Sequence, residues 1–139
     1  MRESNFQTIF SKFTRENPPH GSAVYELKLE KGTSIPFNKV QEHQIDALMK
    51  AKEFGFYHKI SDVPFGHSEG FRFHRPRPLD CLFIAQPEAY IVILFYKPRK
   101  KKEVIFIDIE AWMRERDCSE RKSLTESRAR AISSKIEVL

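Results

Sequence analysis

The sequence predicts one α/β domain spanning residues 1–139, with a mixed central sheet flanked by helices. Segments whose apolar residues recur at helical spacing alternate with short apolar runs that are typical of strands. Two of these runs are apolar almost throughout, as expected for strands that are buried on both faces. A chain of 139 residues can form one buried core, and no repeat or linker divides it.

The composition is that of a globular protein with a basic surface. Hydrophobic residues make up 40% of the chain, and the net charge is +5, which favours a polyanionic partner such as nucleic acid. Two cysteines are too few for a disulfide framework, and no Cys/His spacing predicts a zinc site. The chain lacks both a signal-peptide core and an apolar run approaching the ~20 residues of a membrane span. We therefore expect a soluble, cytoplasmic protein with no membrane partner.

A helix and a strand open the chain. Phe6, Phe10 and Phe13 recur at helical spacing, which predicts an amphipathic helix from a cap at Ser4 to about Arg15. The segment Asn-Pro-Pro-His-Gly then ends this helix and leads into a strand within residues 21–32.

Glu26 and Lys28 lie two residues apart on this strand. Because side chains alternate along a strand, the two share one face, while Tyr25, Leu27 and Leu29 point to the other. Two interpretations are open for the pair. It could be a solvated ion pair that contributes little stability, or it could be a carboxylate and an ammonium held together for chemistry.

A second helix is predicted from about Phe37 to Glu53, with Gly55 as its stop. The apolar residues of its inner face include Val40 and Leu48, and Gln44 falls among them by spacing. A Gln at such a position is either a tolerated boundary residue or a side chain held over a site beside the strand.

The middle of the chain holds a strand at residues 56–62 and a long loop at residues 63–78. Arg72, Arg75 and Arg77 alternate with Phe residues in this loop, a combination that suits phosphates and exposed bases. A solvated loop whose Phe side chains pack on the core is the alternative.

The apolar strands follow at residues 80–85 and 89–96, and a basic turn at residues 97–102 leads to a return strand at 103–109. Arg99, Lys100 and Lys101 in this turn either contact DNA or only increase solubility. A short helix at residues 110–116 should pack Trp112 on the sheet. A capping box formed by Ser123 and Glu126 predicts a last helix to about Ile132, followed by a fraying tail.

Three stretches together resemble the PD-(D/E)xK nuclease superfamily, and within it the small Holliday junction resolvase-like endonucleases that bacterial viruses often carry. They are Tyr25-Glu-Leu-Lys-Leu-Glu-Lys-Gly32, His58-Lys-Ile-Ser-Asp62 with Pro78-Leu-Asp80, and Arg121-Lys-Ser-Leu-Thr-Glu126. They span most of the chain from residue 21 to residue 130.

The resemblance implies a restriction-endonuclease-like fold and a metal-dependent endonuclease that hydrolyses DNA, selects branched or junction DNA and acts as a homodimer. Carboxylates of Glu26 and Asp80 would hold Mg²⁺ or Mn²⁺, with Asp62 as a further candidate ligand. Lys28 would orient the attacking water or offset charge on the phosphate. Gln44 matches a helix glutamine that some members place beside the active site.

One feature departs from the family pattern, in which an Asp precedes the Glu-x-Lys strand. Here no Asp precedes Glu26. Asp80, alone or with Asp62, could supply the second acid from later in the chain, or Glu3 could supply it from the first helix. If the metal site is incomplete, the domain is a non-catalytic nucleic-acid-binding module with a degenerate nuclease fold. A third hypothesis is an interaction protein whose basic surface binds an acidic partner.

Overall fold

The structure, a computed structural model, describes residues 1–19, 21–59 and 82–139. Within these residues the helices are α1 (Glu3–Glu16), α2 (Glu42–Phe54), α3 (Ile109–Cys118) and α4 (Glu126–Ile132), with a 3₁₀ turn at Phe37–Lys39. The strands are β1 (Ala23–Glu30), β2 (Ser34–Pro36), β3 (Phe56–Lys59), β4 (Leu82–Ala85), β5 (Glu88–Phe95), β6 (Glu103–Asp108), β7 (Ser123–Thr125) and β8 (Lys135–Val138).

The main sheet has the order β1-β5-β6-β8. Strand β1 runs parallel to β5, whereas β5–β6 and β6–β8 are antiparallel pairs, so the predicted mixed sheet is confirmed. Two smaller antiparallel pairs, β2–β7 and β3–β4, complete the described strands.

Helices cover both faces of the sheet because strand β5 buries side chains on each side. Ile91 and Ile93 belong to the core that α2, α3 and α4 form on one face. Val92 and Leu94 belong to the core on the other face, together with Phe6 and Phe10 of α1. The prediction that this apolar run is buried on both faces is confirmed, and the domain has three layers.

The first two helices differ from the prediction in their starting points. Helix α1 begins at Glu3 after Arg2, which makes no side-chain cap, and Ser4 lies inside the first turn. The predicted second helix is divided into the 3₁₀ turn and α2, because Gln41 adopts an extended conformation and caps α2. Gly55 ends α2 with a positive φ of 72°, as predicted.

The predicted capping box at Ser123 is wrong by two residues. Ser123–Thr125 pairs with β2 as strand β7, so α4 starts after Thr125, whose hydroxyl accepts a hydrogen bond from the Arg128 N–H. The prediction of a fraying tail is also wrong, since Lys135–Val138 pairs with β6 as strand β8.

Helix α3 packs on the sheet through Trp112, as predicted. The Trp112 side chain is fully buried, and its ring meets Phe37 edge to face at a centroid distance of 5.3 Å. Asp108 caps the start of α3 by accepting a hydrogen bond from the Glu110 N–H. In the part of the chain that the structure describes, no helix is long and apolar enough to cross a bilayer.

Candidate functional site

Glu26 and Lys28 emerge side by side from β1, as the period of a strand requires. The Lys28 Nζ lies 2.9 Å from the Glu26 Oε1. The Lys28 side chain is only 9% exposed and that of Glu26 is 25% exposed. The two residues therefore form a same-face ion pair whose ammonium has lost much of its hydration and whose carboxylate stays partly exposed.

Gln44 of α2 completes a triangle with these two residues. Its amide nitrogen donates to the Glu26 Oε1 at 2.8 Å, and its amide oxygen accepts from the Lys28 Nζ at 3.0 Å. The same oxygen accepts from the Gln41 N–H at 3.0 Å as part of the helix cap. The start of α2 therefore fixes the orientation of Gln44, which is a contacting residue of the site.

The triangle lies at the wall of an open cleft of about 490 Å³. The lining residues are Glu3, Gln7 and Ser11 of α1, Tyr25, Glu26, Leu27 and Lys28 of β1, and Gln44 of α2. Among the described strands, β1 has β5 as its one neighbour and forms the edge of the sheet. The cleft therefore opens along this edge, between the first two helices.

Glu3 brings a second carboxylate to the cleft, which the sequence offered as an alternative source of the missing acid. Gln7 and Ser11 were not among the residues predicted for the site. Glu3, Gln7 and Ser11 follow one another at four-residue spacing, so they form a polar stripe beside the buried Phe6 and Phe10. This polar stripe on an otherwise amphipathic helix is a sequence pattern from which both residues could have been predicted.

Two carboxylates, those of Glu3 and Glu26, line the cleft. Both contacts to Glu26 are made at Oε1, so Oε2 is the oxygen that can face a metal ion. No cluster of three or more potential His, Cys, Asp or Glu ligands occurs among the described residues. Mg²⁺ needs few protein ligands, since it usually keeps several waters and binds through one or two carboxylates plus substrate phosphate. Glu26 and Glu3 are the carboxylates of the cleft that could hold such an ion.

Several predicted site residues lie outside the described residues. They are the candidate metal ligands Asp62 and Asp80 and the loop residues Arg72, Arg75 and Arg77. Their proposed roles stay predictions.

The predicted basic turn joins β5 to β6, and its Arg99, Lys100 and Lys101 are exposed. Arg99 adopts a positive φ of 62° in this turn. Lys100 and Lys101 border a cavity of about 370 Å³ that Lys97 and Arg130 also line. This surface is basic even though two glutamates, Glu103 and Glu126, are part of it.

Glu126 fixes the base of the turn. Its carboxylate accepts from the Lys97 Nζ at 2.6 Å and from Arg130 at 3.1 Å. The Lys97 hydrogen bond, reinforced by Arg130, holds the pKa of Glu126 below its ordinary value. Lys97 is thereby engaged within the protein, while Lys100 and Lys101 form no salt bridge with the described residues.

The basic turn and the cleft lie along the same parallel pair of strands. Glu26 is paired with Ile91. The pairing of β1 with β5 ends four residues later, at Glu30 and Phe95, just before the turn. Four residues of strand span roughly 13 Å, so the paired strands end about that far from Glu26 on the side of the basic turn.

Comparisons with protein-family models, curated proteins and solved structures find no significant match to this chain. The resemblance to the PD-(D/E)xK nucleases therefore depends on the quoted motifs alone. The architecture that the structure shows is a mixed α/β domain with helices on both faces of its sheet.

Proposed function

We propose that this chain is a metal-dependent DNA endonuclease whose active site is the cleft at the β1 edge. The observation that carries the proposal is the contact triangle of Glu26, Lys28 and Gln44 beside open space. A buried ammonium next to a partly exposed carboxylate costs desolvation free energy, which its contacts with Glu26 and Gln44 must offset. The same pair can serve phosphodiester hydrolysis, since a carboxylate can bind a divalent cation and an ammonium can stabilise charge on the phosphate.

Glu26 Oε2, with Glu3 from α1, would hold Mg²⁺ or Mn²⁺. When bound, such an ion polarises the phosphate and lowers the pKa of a coordinated water. Asp80 and Asp62 are further candidate ligands from the sequence, and either would increase the negative charge that retains the cation. The carboxylate of Glu26 is held in one orientation by Gln44, so the ligand atom is preorganised.

Lys28 supplies fixed positive charge. Two of its contacts are to Glu26 and Gln44, and an ammonium has three N–H donors. The third can donate to a phosphate oxygen or to the attacking water. Because burial already fixes this ammonium, charge that develops on the phosphate is stabilised with little reorganisation.

The basic turn with Arg99, Lys100 and Lys101 would bind the DNA backbone beyond the cleft. Phosphate contacts of this kind position the substrate without reading its sequence. Selection of branched or junction DNA would then depend on the shape of the substrate, in agreement with the resolvase-like motifs.

The direct test is a cleavage assay on four-way-junction and linear duplex DNA with Mg²⁺, Mn²⁺ or EDTA. We expect cutting with either metal and none in EDTA, with junction DNA cut faster than duplex. Binding without cutting under every metal condition would instead favour the non-catalytic nucleic-acid-binding module. Failure to bind DNA at low salt would favour the third hypothesis, a protein whose basic surface binds an acidic partner.

Removing charge from the turn should weaken DNA binding. For Lys100→Ala/Lys101→Ala we expect affinity to fall about tenfold near 0.1 M salt, and the slope of log K against log salt to decrease by about 2. Fluorescence anisotropy titrations at several salt concentrations measure both quantities.

A matched control removes two lysines elsewhere. Lys12 and Lys50 are exposed on α1 and α2, and each forms an ion pair one helical turn away. Lys12→Ala/Lys50→Ala changes the net charge equally and should change binding much less. Equal losses in both double variants would show that overall charge, and not the turn, determines affinity.

A further inference from the structure

Strand β8 forms the edge of the main sheet opposite β1. It pairs with β6 on one side, and within residues 1–19, 21–59 and 82–139 no strand pairs with its other side. An edge strand presents a row of unpaired N–H and C=O groups to any chain that can match it.

The register with β6 shows which backbone groups face outward. The Leu139 N–H donates to the Lys102 carbonyl at 2.9 Å, and Glu137 pairs with Val104 two residues earlier. Hydrogen-bonded pairs alternate in an antiparallel ladder, so Lys135 and Glu137 direct their backbone groups to β6. Ile136 and Val138 therefore direct theirs to the free edge.

We propose that the free edge of β8 binds the same strand of a second copy, in antiparallel orientation and centred on Ile136. In this register the Ile136 backbones of the two copies exchange both N–H···O bonds. Lys135 of each copy lies opposite Glu137 of the other, so the sequence Lys-Ile-Glu-Val is complementary to itself in charge. A two-fold symmetric interface requires such self-complementarity.

The charges that would meet are available for pairing. Neither Lys135 nor Glu137 forms a salt bridge with the described residues; the Lys135 Nζ lies 4.4 Å from the centroid of the Phe106 ring. The two opposite-charge pairs fall at positions without backbone hydrogen bonds. Facing side chains are closest at such positions, with Cα atoms about 4.5 Å apart.

The other face of β8 supplies apolar contact. Ile136 is 39% exposed and Val138 is 52% exposed, and these are two of the three large hydrophobic residues that the described chain exposes. In the proposed register Ile136 packs against Ile136 of the second copy. The complete interface is short, so it buries less than a standard interface and we expect a dissociation constant in the range of about 1–100 μM.

The interface is separate from the proposed active site. Strands β5 and β6 lie between β8 and β1, so pairing at β8 leaves both clefts at the outer edges of an extended eight-stranded sheet. Self-association and cleavage can consequently be tested independently of each other.

Charge reversal tests the register. In Lys135→Glu both charged residues of the edge are acidic, and in Glu137→Lys both are basic, so each variant alone places like charges opposite one another. We expect each to self-associate at least about tenfold more weakly than the wild type. Mixing the two variants restores both opposite-charge pairs and should give a heterodimer with wild-type affinity.

Sedimentation velocity over a concentration series measures the wild type, each variant and their mixture, and circular dichroism melting confirms that each variant is folded. Wild type that stays monomeric up to about 1 mM would overturn the proposal. So would a mixture that associates no better than the two variants alone, since the proposed register predicts rescue.

Discussion

Glu26→Gln is expected to lower metal-dependent cleavage about a thousandfold or more while leaving DNA binding close to that of the wild type. Glutamine keeps an oxygen that can accept from Lys28 and Gln44, so the triangle retains its shape. What is lost is the negative charge that a divalent cation needs. Single-turnover cleavage with Mg²⁺ and anisotropy binding on the same DNA separate these two effects.

A matched control lies on the same face of β1. Glu30 is four residues further along the strand and pairs with Lys39 at 2.9 Å, and it does not line the cleft. Glu30→Gln should therefore cleave at the wild-type rate. If Glu26→Gln retains cleavage within about tenfold of the wild type, Glu26 is not a metal ligand and the proposed active site is wrong.

Loss of the Glu26 charge also leaves the buried Lys28 without a counter-ion, which should lower stability. The double variant Glu26→Gln/Lys28→Met removes both charges and should recover much of this stability, because neutral side chains need no such compensation. Thermal melting of the single and double variants shows whether a loss of cleavage comes from the missing carboxylate or from unfolding of the protein.

Phe106→Ala is expected to destabilise the protein by about 3–5 kcal/mol. Phe106 is 1% exposed in the middle of β6. Its ring lies 5.9–6.0 Å from the rings of Phe10, Tyr25 and Tyr90, measured between centroids. These rings come from α1, β1 and β5, so truncation opens a cavity that no one element can fill.

Urea denaturation at neutral pH measures this loss. Phe54→Ala is the matched control, because Phe54 is 65% exposed at the end of α2 and should change stability by no more than about 0.5 kcal/mol. If Phe106→Ala lowers the free energy of unfolding by less than about 1 kcal/mol, α1 packs on the sheet independently of this ring.

Local sequence patterns predicted most of the helices and strands, and they predicted the faces on which Glu26, Lys28 and Gln44 lie. The period of two along β1 placed Glu26 beside Lys28, and helical spacing placed Gln44 on the inner face of α2. The alternation Lys-Ile-Glu-Val in β8 is also a strand pattern, so the prediction of a fraying tail overlooked a signal that was present.

Boundaries were predicted less well because distant residues decide them. Ser123 has the residue type and spacing of a helix cap, yet it pairs with β2 almost ninety residues earlier in the chain. The backbone hydrogen bonds of that pairing, together with the burial of Leu124, outweigh the local capping preference.

The sequence by itself determined that this is an α/β domain, and that one strand carries a carboxylate and an ammonium on a common face. Only the tertiary structure decided that β1 is an edge strand beside β5, that α1 contributes Glu3 to the cleft, and that Gln44 contacts both charged residues. Periodicity specifies which face a side chain occupies. The identity of the element that covers that face depends on how the apolar surfaces of distant segments bury one another, and a local pattern does not contain that information.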